Sequence, residues 1–234
     1  NAEMDAGATS LTWTDQVMTF PLSGANLISS FSSYGPTCEL SFKPDISAPG
    51  GAIFSTYPLE LGAYAAQDGT SMASPHVAGT VALLLQAQPG LQASMVRDVL
   101  QNNAVPLAFN GNPNLGVPDQ TFRQGAGMVR IDRAIMSSTV ITPGKLALGE
   151  TPASGPHTAT LTVWNMGAAE VTYTVSHVGA ASATGDHFTP TAVTADFADV
   201  MAMPAMVTVM RGSSIEKLVS FSMSFTIGVT AFCV

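Results

Sequence analysis

Charged side chains are scarce in this chain of 234 residues, of which only 10% are Asp, Glu, Lys or Arg. Bases are the scarcer kind, with 8 Lys and Arg against 16 Asp and Glu, so the net charge is −8. The few bases form no cluster along the sequence. Nucleic acid and anionic membrane surfaces are therefore not expected partners, and the acidic, charge-poor composition suits a secreted protein.

Cysteine is nearly absent. Cys38 and Cys233 are the only two, too few for a disulfide framework, and two unpaired, buried thiols are favoured over a bridge between them. No signal peptide is in view, because the first residues lack a charged segment followed by an apolar one. Hydrophobic residues make up 46% of the chain, enough to bury a core and to exclude a disordered protein.

Residues 69–79 carry the pattern that is most informative about function, Gly-Thr-Ser-Met-Ala-Ser-Pro-His-Val-Ala-Gly. The apolar run from Val77 to Leu85 that continues this pattern predicts a helix whose first turn holds Ser71. Because the run has apolar residues on every side, we expect this helix to be buried all round. Pro75 is expected within about the first turn, where a missing amide costs little.

Ser71 is the candidate nucleophile. The first amides of a helix have no intrahelical partners, and the helix dipole favours negative charge there. An oxyanion formed as Ser71 attacks a carbonyl can therefore bond to the backbone N–H of Ser71 itself. Taken alone, a Gly-x-Ser-x-Ala string more often marks an ordinary helix cap.

Two neighbours of Ser71 have titratable side chains. Asp68 is expected to cap the helix or to favour its dipole. His76 lies five residues after Ser71, about 500° around a helix, so the two side chains point roughly 140° apart. His76 therefore cannot take the Ser71 proton, and we expect it to be a hydrogen-bonded core residue.

The string around Ser71 resembles the active-serine signature of the subtilisin-like serine proteases, the subtilases. Other subtilase-like motifs occur in the family's order at residues 31–37, 43–50 and 123–129. The resemblance implies that Ser71 is the catalytic nucleophile, that its backbone N–H belongs to the oxyanion hole, and that the motifs at 31–50 are scaffolding. The substrate would be a protein or peptide.

The resemblance also predicts the fold class and the domains. Residues 25–138 are expected to form the C-terminal part of an α/β catalytic domain with a parallel sheet in an αβα arrangement, of the large secreted minor-extracellular-protease type. Residues 1–24 are expected to be the tail of a protease-associated insert. Within residues 25–138, the pattern predicts a strand at 52–55, a helix at 91–103 and a loop at 108–120. The resemblance implies a closing Gly-x-Gly strand at 123–129 and a last helix at 132–136.

Residues 139–234 have a different pattern, in which apolar and polar residues alternate. This period of two predicts an antiparallel β-sandwich, which resembles the fibronectin type III-like domain of large subtilases. His157, His177 and His187 fall on or beside its strands. The uncharged residues 218–234 alternate in the same way, which favours a strand over a membrane anchor.

No counterpart of the family's Asp and His motifs or of its oxyanion Asn occurs in the sequence. We therefore expect the C-terminal part of a protease that is inactive by itself. Subtilases often bind calcium, but the sequence has no calcium-loop pattern and predicts no cofactor. One alternative is a non-catalytic binding or adhesion module derived from a subtilase. An α/β-hydrolase is disfavoured, since it needs a partner His after the serine and only the β-sandwich histidines remain for that role.

Overall fold

The computed structural model describes residues 22, 24–147, 156–184, 191–193, 198–203 and 206–223. All described helices lie before residue 137, and all described elements from residue 139 onward are strands. Some predictions concern residues outside the described part. These are the predictions for residues 1–21, His187, Cys233 and residues 224–234 at the end of the uncharged run. Within the described part, no helix is long and apolar enough to cross a membrane.

The described residues up to 136 contain four helices and one β-hairpin. The hairpin pairs β1 (Ile53–Thr56) with β2 (Tyr64–Gln67) in antiparallel register. Single 3₁₀ turns occur at Leu59–Leu61 and Pro113–Leu115. The helices are α1 (Thr70–Ala87), α2 (Ala93–Asn103), α3 (Thr121–Gln124) and α4 (Ile131–Met136). The structure thus confirms β1, α2 and α4 to within about two residues of the predicted bounds.

One hydrophobic cluster joins three of these helices to the strand that follows them. It forms where α1, α2 and α4 meet and where the first strand after them, β3 (Thr139–Thr142), packs against α2. The apolar spacing of α2 explains its contribution, because residues three and four apart share one helix face. The buried members are Leu84, Val96, Val99, Leu100, Val129, Ala134 and Val140.

The prediction that α1 is buried all round is wrong for the described part of the chain. Of its residues only Thr80 and Leu84 are buried, and Leu83 is 51% exposed. Burial depends on what surrounds a helix, and among the described helices α4 is the one in substantial contact with α1. The position predicted for Pro75 is also wrong, because Pro75 is the sixth residue of α1 and lies in its second turn.

The described residues contain no parallel sheet, and a single bridge between Ser47 and Met128 is the one parallel pairing among them. Residues 123–129 were expected to form a strand, but Arg123 and Gln124 end the short helix α3. Met128 then bridges Ser47 in parallel and Val105 in antiparallel orientation. Bridges of one residue on each side hold this loop in place without extending into a sheet.

The strands after residue 139 pair in antiparallel fashion, as their alternating pattern predicts. One sheet has the order β3-β4-β10-β8, and two separate pairs are β5-β9 and β6-β7. These strands are β4 (Pro156–Asn165), β5 (Val171–Thr174), β6 (Ser182–Thr184), β7 (Thr191–Val193), β8 (Ala198–Met203), β9 (Met206–Val209) and β10 (Ser213–Met223).

Side chains on β4 alternate between the interior and the surface. Leu161, Val163 and Asn165 are buried, whereas Trp164, which lies between the last two, is 38% exposed. β10 includes residues 218–223, so a strand is confirmed for that part of the uncharged C-terminal run. The fibronectin type III-like arrangement stays a prediction.

Cys38 is a free thiol on the surface, so its predicted burial is wrong. It lies in a turn in which the N–H of Leu40 donates to the carbonyl of Thr37, at 2.8 Å between N and O. The neighbouring residues 37–41 are all exposed. The thiol is exposed because it lies in a tight turn whose residues all face solvent.

Candidate active site

Ser71 lies in the first turn of α1, as predicted. Gly69 is the N-cap residue of this helix, and Thr70 and Ser71 are its first two residues. Ser71 is exposed. Its backbone N–H belongs to the first helical turn, where amides have no carbonyl of their own helix to bond. Exposure and a first-turn amide are both needed if this serine is to attack a carbonyl and stabilise the resulting oxyanion.

Gly69 keeps the space in front of Ser71 open. A Cβ atom placed on Gly69 would lie 3.7 Å from the backbone N of Ser71 and 4.0 Å from its Oγ. Both the hydroxyl and the amide of Ser71 therefore border the volume that a side chain at residue 69 would fill. Gly69 also has a φ of 152°, a backbone conformation that L-residues with side chains rarely adopt.

Two hydrogen bonds hold the residues that lead into α1. The N–H of Gly69 donates to the carbonyl of Gly50 at 2.8 Å. The N–H of Ala52 donates to the Asp68 carboxylate, with 2.6 Å between N and Oδ1. The prediction that Asp68 caps the helix is wrong, because Gly69 occupies the N-cap and no side chain caps it. Asp68 instead holds the residues before β1.

The structure places His76 on α1 but does not bury it. The side chain is exposed, so the predicted role as a core residue is wrong for the described part of the chain. The physical reason is the same as for Leu83: the described elements leave this side of α1 uncovered. Five residues along a regular helix still turn His76 about 140° away from Ser71.

Two other histidines lie among the described residues of the C-terminal half. His157 is part of β4, and His177 is a half-buried residue that follows β5. In the described ranges no group of three or more His, Cys, Asp or Glu side chains is arranged to hold a metal ion.

A cavity of about 740 Å³ lies along one face of α1 beside the candidate nucleophile. On the helix it is lined by Thr70, Ala73, Ser74 and Val77, which are spaced three or four residues apart and so share one face. Residues 24–32 and 46–52 supply much of the opposite wall. Ser71 is not among the lining residues, so this cavity lies beside the candidate nucleophile.

Comparison with known families gives a match over the part of the chain that contains α1. The sequence profile described as the subtilase family, of peptidase class S8, matches residues 7–127, just over half of the chain. The chain belongs to the subtilase family. The match includes α1 with Ser71, and it begins within the segment that was expected to be the tail of an insert.

Individual subtilases show the same relationship. Minor extracellular protease Vpr of Bacillus subtilis (strain 168) is 39% identical over 127 residues, which are 52% of this chain and 15% of that protein. Subtilisin DY of Bacillus licheniformis is 41% identical over 105 residues, which are 45% of this chain and 31% of that protein. This chain therefore spans less than a third of either relative.

The comparison with solved structures also finds a protein related to subtilisin. Fervidolysin from Fervidobacterium pennivorans, a keratinolytic enzyme related to subtilisin, is 25% identical over 74% of this chain and 22% of its own, at a TM-score of 0.29. Superposition at that score is too poor to support an argument about fold. Membership of the subtilase family rests on the sequence match.

Proposed function

We propose that Ser71 is the nucleophile of a secreted, subtilisin-like serine endopeptidase of which this chain is a part. The observation that carries the proposal is that the Oγ and the backbone N–H of Ser71 border one open space at the start of α1, cleared by Gly69. An attacking group and an oxyanion donor must both reach the same carbonyl, and this placement suits that requirement. Membership of the subtilase family supports the same role.

The reaction would proceed through an acyl-enzyme. Ser71 Oγ gives its proton to a base and bonds to the carbonyl carbon of the scissile peptide, while the carbonyl electrons move to oxygen. The N–H of Ser71 donates to that oxyanion. Collapse of the intermediate breaks the C–N bond, the amine leaves with the proton, and water later hydrolyses the ester on Ser71.

The base, the carboxylate that orients it and a second oxyanion donor would come from other parts of the parent protein. His76 cannot serve as the base because the helix turns it away from Ser71. The uncovered apolar surface of α1 at Leu83 and Leu85 supports further elements packing there in the parent. This chain alone would be inactive, since removing triad members of subtilisin lowers kcat by about 10⁴- to 10⁶-fold.

Secretion is part of the proposal. The relative from Bacillus subtilis is named an extracellular protease, and the acidic, charge-poor composition suits that location. Proteins or peptides would be the substrates, because a serine nucleophile with an oxyanion donor serves acyl transfer.

The test is proteolysis by the full-length parent and its Ser71→Ala variant. Proteolysis should be lost in Ser71→Ala and kept in Ser74→Ala, which removes another exposed hydroxyl from the same helix. Equal activity in all three proteins would contradict the proposal. A parent without any proteolytic activity would favour the binding-module alternative.

A further inference from the structure

The strand β3 belongs to both halves of the chain. Its backbone pairs with β4 in the C-terminal sheet, yet its Val140 is buried in the cluster formed by α1, α2 and α4. The N–H of Ile141 also donates to the Asn102 side chain of α2, at 2.7 Å between N and Oδ1. The C-terminal strands are therefore fixed to the part of the chain that carries Ser71.

The turn after β3 is pressed closely against α2. A Cβ atom on Gly144 would lie 2.6 Å from Oε1 of Gln101 and 3.0 Å from Cα of Asp98. At these distances a side chain on residue 144 would displace the end of the Gln101 side chain and crowd the backbone of α2. This close approach determines where the next residue, Lys145, can reach.

Lys145 crosses from the C-terminal half to the loop that precedes β1. Its Nζ donates to the carbonyl of Phe42 at 2.5 Å and to Oδ1 of Asp45 at 2.6 Å. The pair is largely shielded, with side-chain exposures of 26% for Lys145 and 22% for Asp45. Lys43 contacts the other oxygen of the same carboxylate, but its own side chain is 52% exposed.

Residues 45–52 connect that carboxylate to the start of the serine helix. At one end, the carbonyl of Asp45 accepts from Gln101 Nε2 at 3.0 Å. In the middle, Ser47 exchanges two backbone hydrogen bonds, of 2.8 Å each, with Gly127 and Val129. At the other end, Gly50 and Ala52 hold Gly69 and Asp68 through the two bonds described above. The segment is thus fixed at both ends and braced between them.

We propose that Lys145 is a positioning residue for Ser71, acting through Asp45 and residues 45–52. The turn after β3 supplies a cation that anchors one end of this segment, and the other end sets the position of Gly69, two residues before Ser71. The C-terminal half thereby contributes to the geometry of the active serine without touching substrate. The inference rests on the proposed function only for the role of Ser71.

The test is hydrogen exchange of individual amides in the 234-residue chain, which needs no catalytic activity. In Lys145→Met, the amides of Gly69 and Ala52 should exchange roughly threefold to tenfold faster, because a shielded charged partner of the segment is lost. Lys43→Met is the matched control, since it removes the other lysine from the same carboxylate but breaks no connection to the C-terminal half. It should leave both amides within about twofold. Lys145→Arg should restore most of the protection.

The result that overturns the proposal is unchanged exchange at Gly69 and Ala52 in Lys145→Met while Val99 in α2 stays protected. An equal effect of Lys43→Met would overturn it as well, because the connection to the C-terminal strands would then be irrelevant. If Lys145→Met unfolds the chain, which loss of protection at Val99 would reveal, the same comparison is made with Asp45→Asn. Labelling of Ser71 in the parent is a separate measurement, so either claim can fail alone.

Discussion

The backbone N–H of Gly69 donates to the carbonyl oxygen of Gly50, with 2.8 Å between the two atoms. This bond ties the N-cap of α1 to the loop before β1, and Asp68 adds a second tie through Ala52. The position of Ser71 therefore depends on a segment that is distant in sequence. Substitutions at residues 50, 52, 68 and 69 should therefore alter the position of Ser71, even though none of these residues is the nucleophile.

Gly69→Ala should impair the active serine in the full-length parent. The new methyl group would lie 3.7 Å from the Ser71 nitrogen and 4.0 Å from its Oγ, on a residue whose φ is 152°. These contacts are of ordinary length, so the cost comes from the backbone strain of a side chain at this φ. We expect the rate of labelling by a fluorophosphonate to fall about tenfold or more, because small displacements of reacting groups are costly.

Gly79→Ala is the matched control for this prediction. Gly79 lies within the same helix, and a Cβ there meets no atom within 4 Å. In the 234-residue chain this variant should gain roughly 0.5–1 kcal/mol in free energy of unfolding, because alanine favours a helix interior. In the parent it should label at the normal rate, because residue 79 lies about two helical turns beyond Ser71. Equal labelling of Gly69→Ala and Gly79→Ala would contradict the account of the open space at Ser71.

Asp68→Ala should lower the free energy of unfolding of this chain by about 1 kcal/mol, because the N–H of Ala52 loses its carboxylate acceptor. Asp68→Asn keeps an acceptor oxygen of the same reach and should lose less than half as much. Urea unfolding of the two variants measures the difference. If both variants were as stable as the unchanged chain, the bond between Asp68 and Ala52 would contribute nothing.

His76→Asn should change the free energy of unfolding of this chain by no more than about 0.5 kcal/mol, because the side chain is exposed. In an active parent it should leave turnover within a few fold, since residue 76 points away from Ser71. A loss of activity as large as that of Ser71→Ala, with the fold intact, would make His76 part of the catalytic machinery.

The carboxyl group of Asp45 should make the free energy of unfolding depend on pH in the acidic range. Partial burial would raise the pKa of its carboxyl, but the hydrogen bonds and charges of Lys145 and Lys43 outweigh burial and hold the pKa below its ordinary value. A lowered folded-state pKa contributes stability that is fully present above about pH 4 and is lost as the pH falls through the folded-state value.

The measurement is the free energy of unfolding between about pH 5 and pH 2, compared with that of Asp45→Asn. The variant should be less stable at neutral pH and should lose stability less steeply in acid, because the titrating group is gone. Parallel pH profiles would mean that Asp45 has the same pKa in the folded and unfolded chains.

Local pattern was enough to predict several of the elements, although the strand expected at 123–129 did not form and α3 and β2 were not predicted. The spacing of Val96, Val99 and Leu100 gave α2, and the alternation around Leu161 and Val163 gave β4. These patterns are predictive because each depends only on nearby residues and indicates which face of the element is buried. The placement of Ser71 in the first turn of a helix follows from the same kind of information.

Contacts between distant residues could not be predicted in this way. No pattern near Asp68 indicates that its partner is the N–H of Ala52, and nothing near Lys145 indicates Asp45, which lies 100 positions earlier. The burial of His76 and of α1 was predicted wrongly for the same reason. The apolar residues of a helix show which of its surfaces could be buried. Whether those surfaces are buried depends on which other elements cover them.

The most direct test of the central claim is site-mapped labelling of the full-length parent with a fluorophosphonate, which reacts only with an activated serine. The account predicts that the label is found on Ser71, that Ser71→Ala abolishes it, and that Ser74→Ala keeps it. It also predicts no appreciable labelling of the 234-residue chain alone, where no base activates the serine. Label on a different serine of the parent, or undiminished labelling of Ser71→Ala, would contradict the claim that Ser71 is the nucleophile.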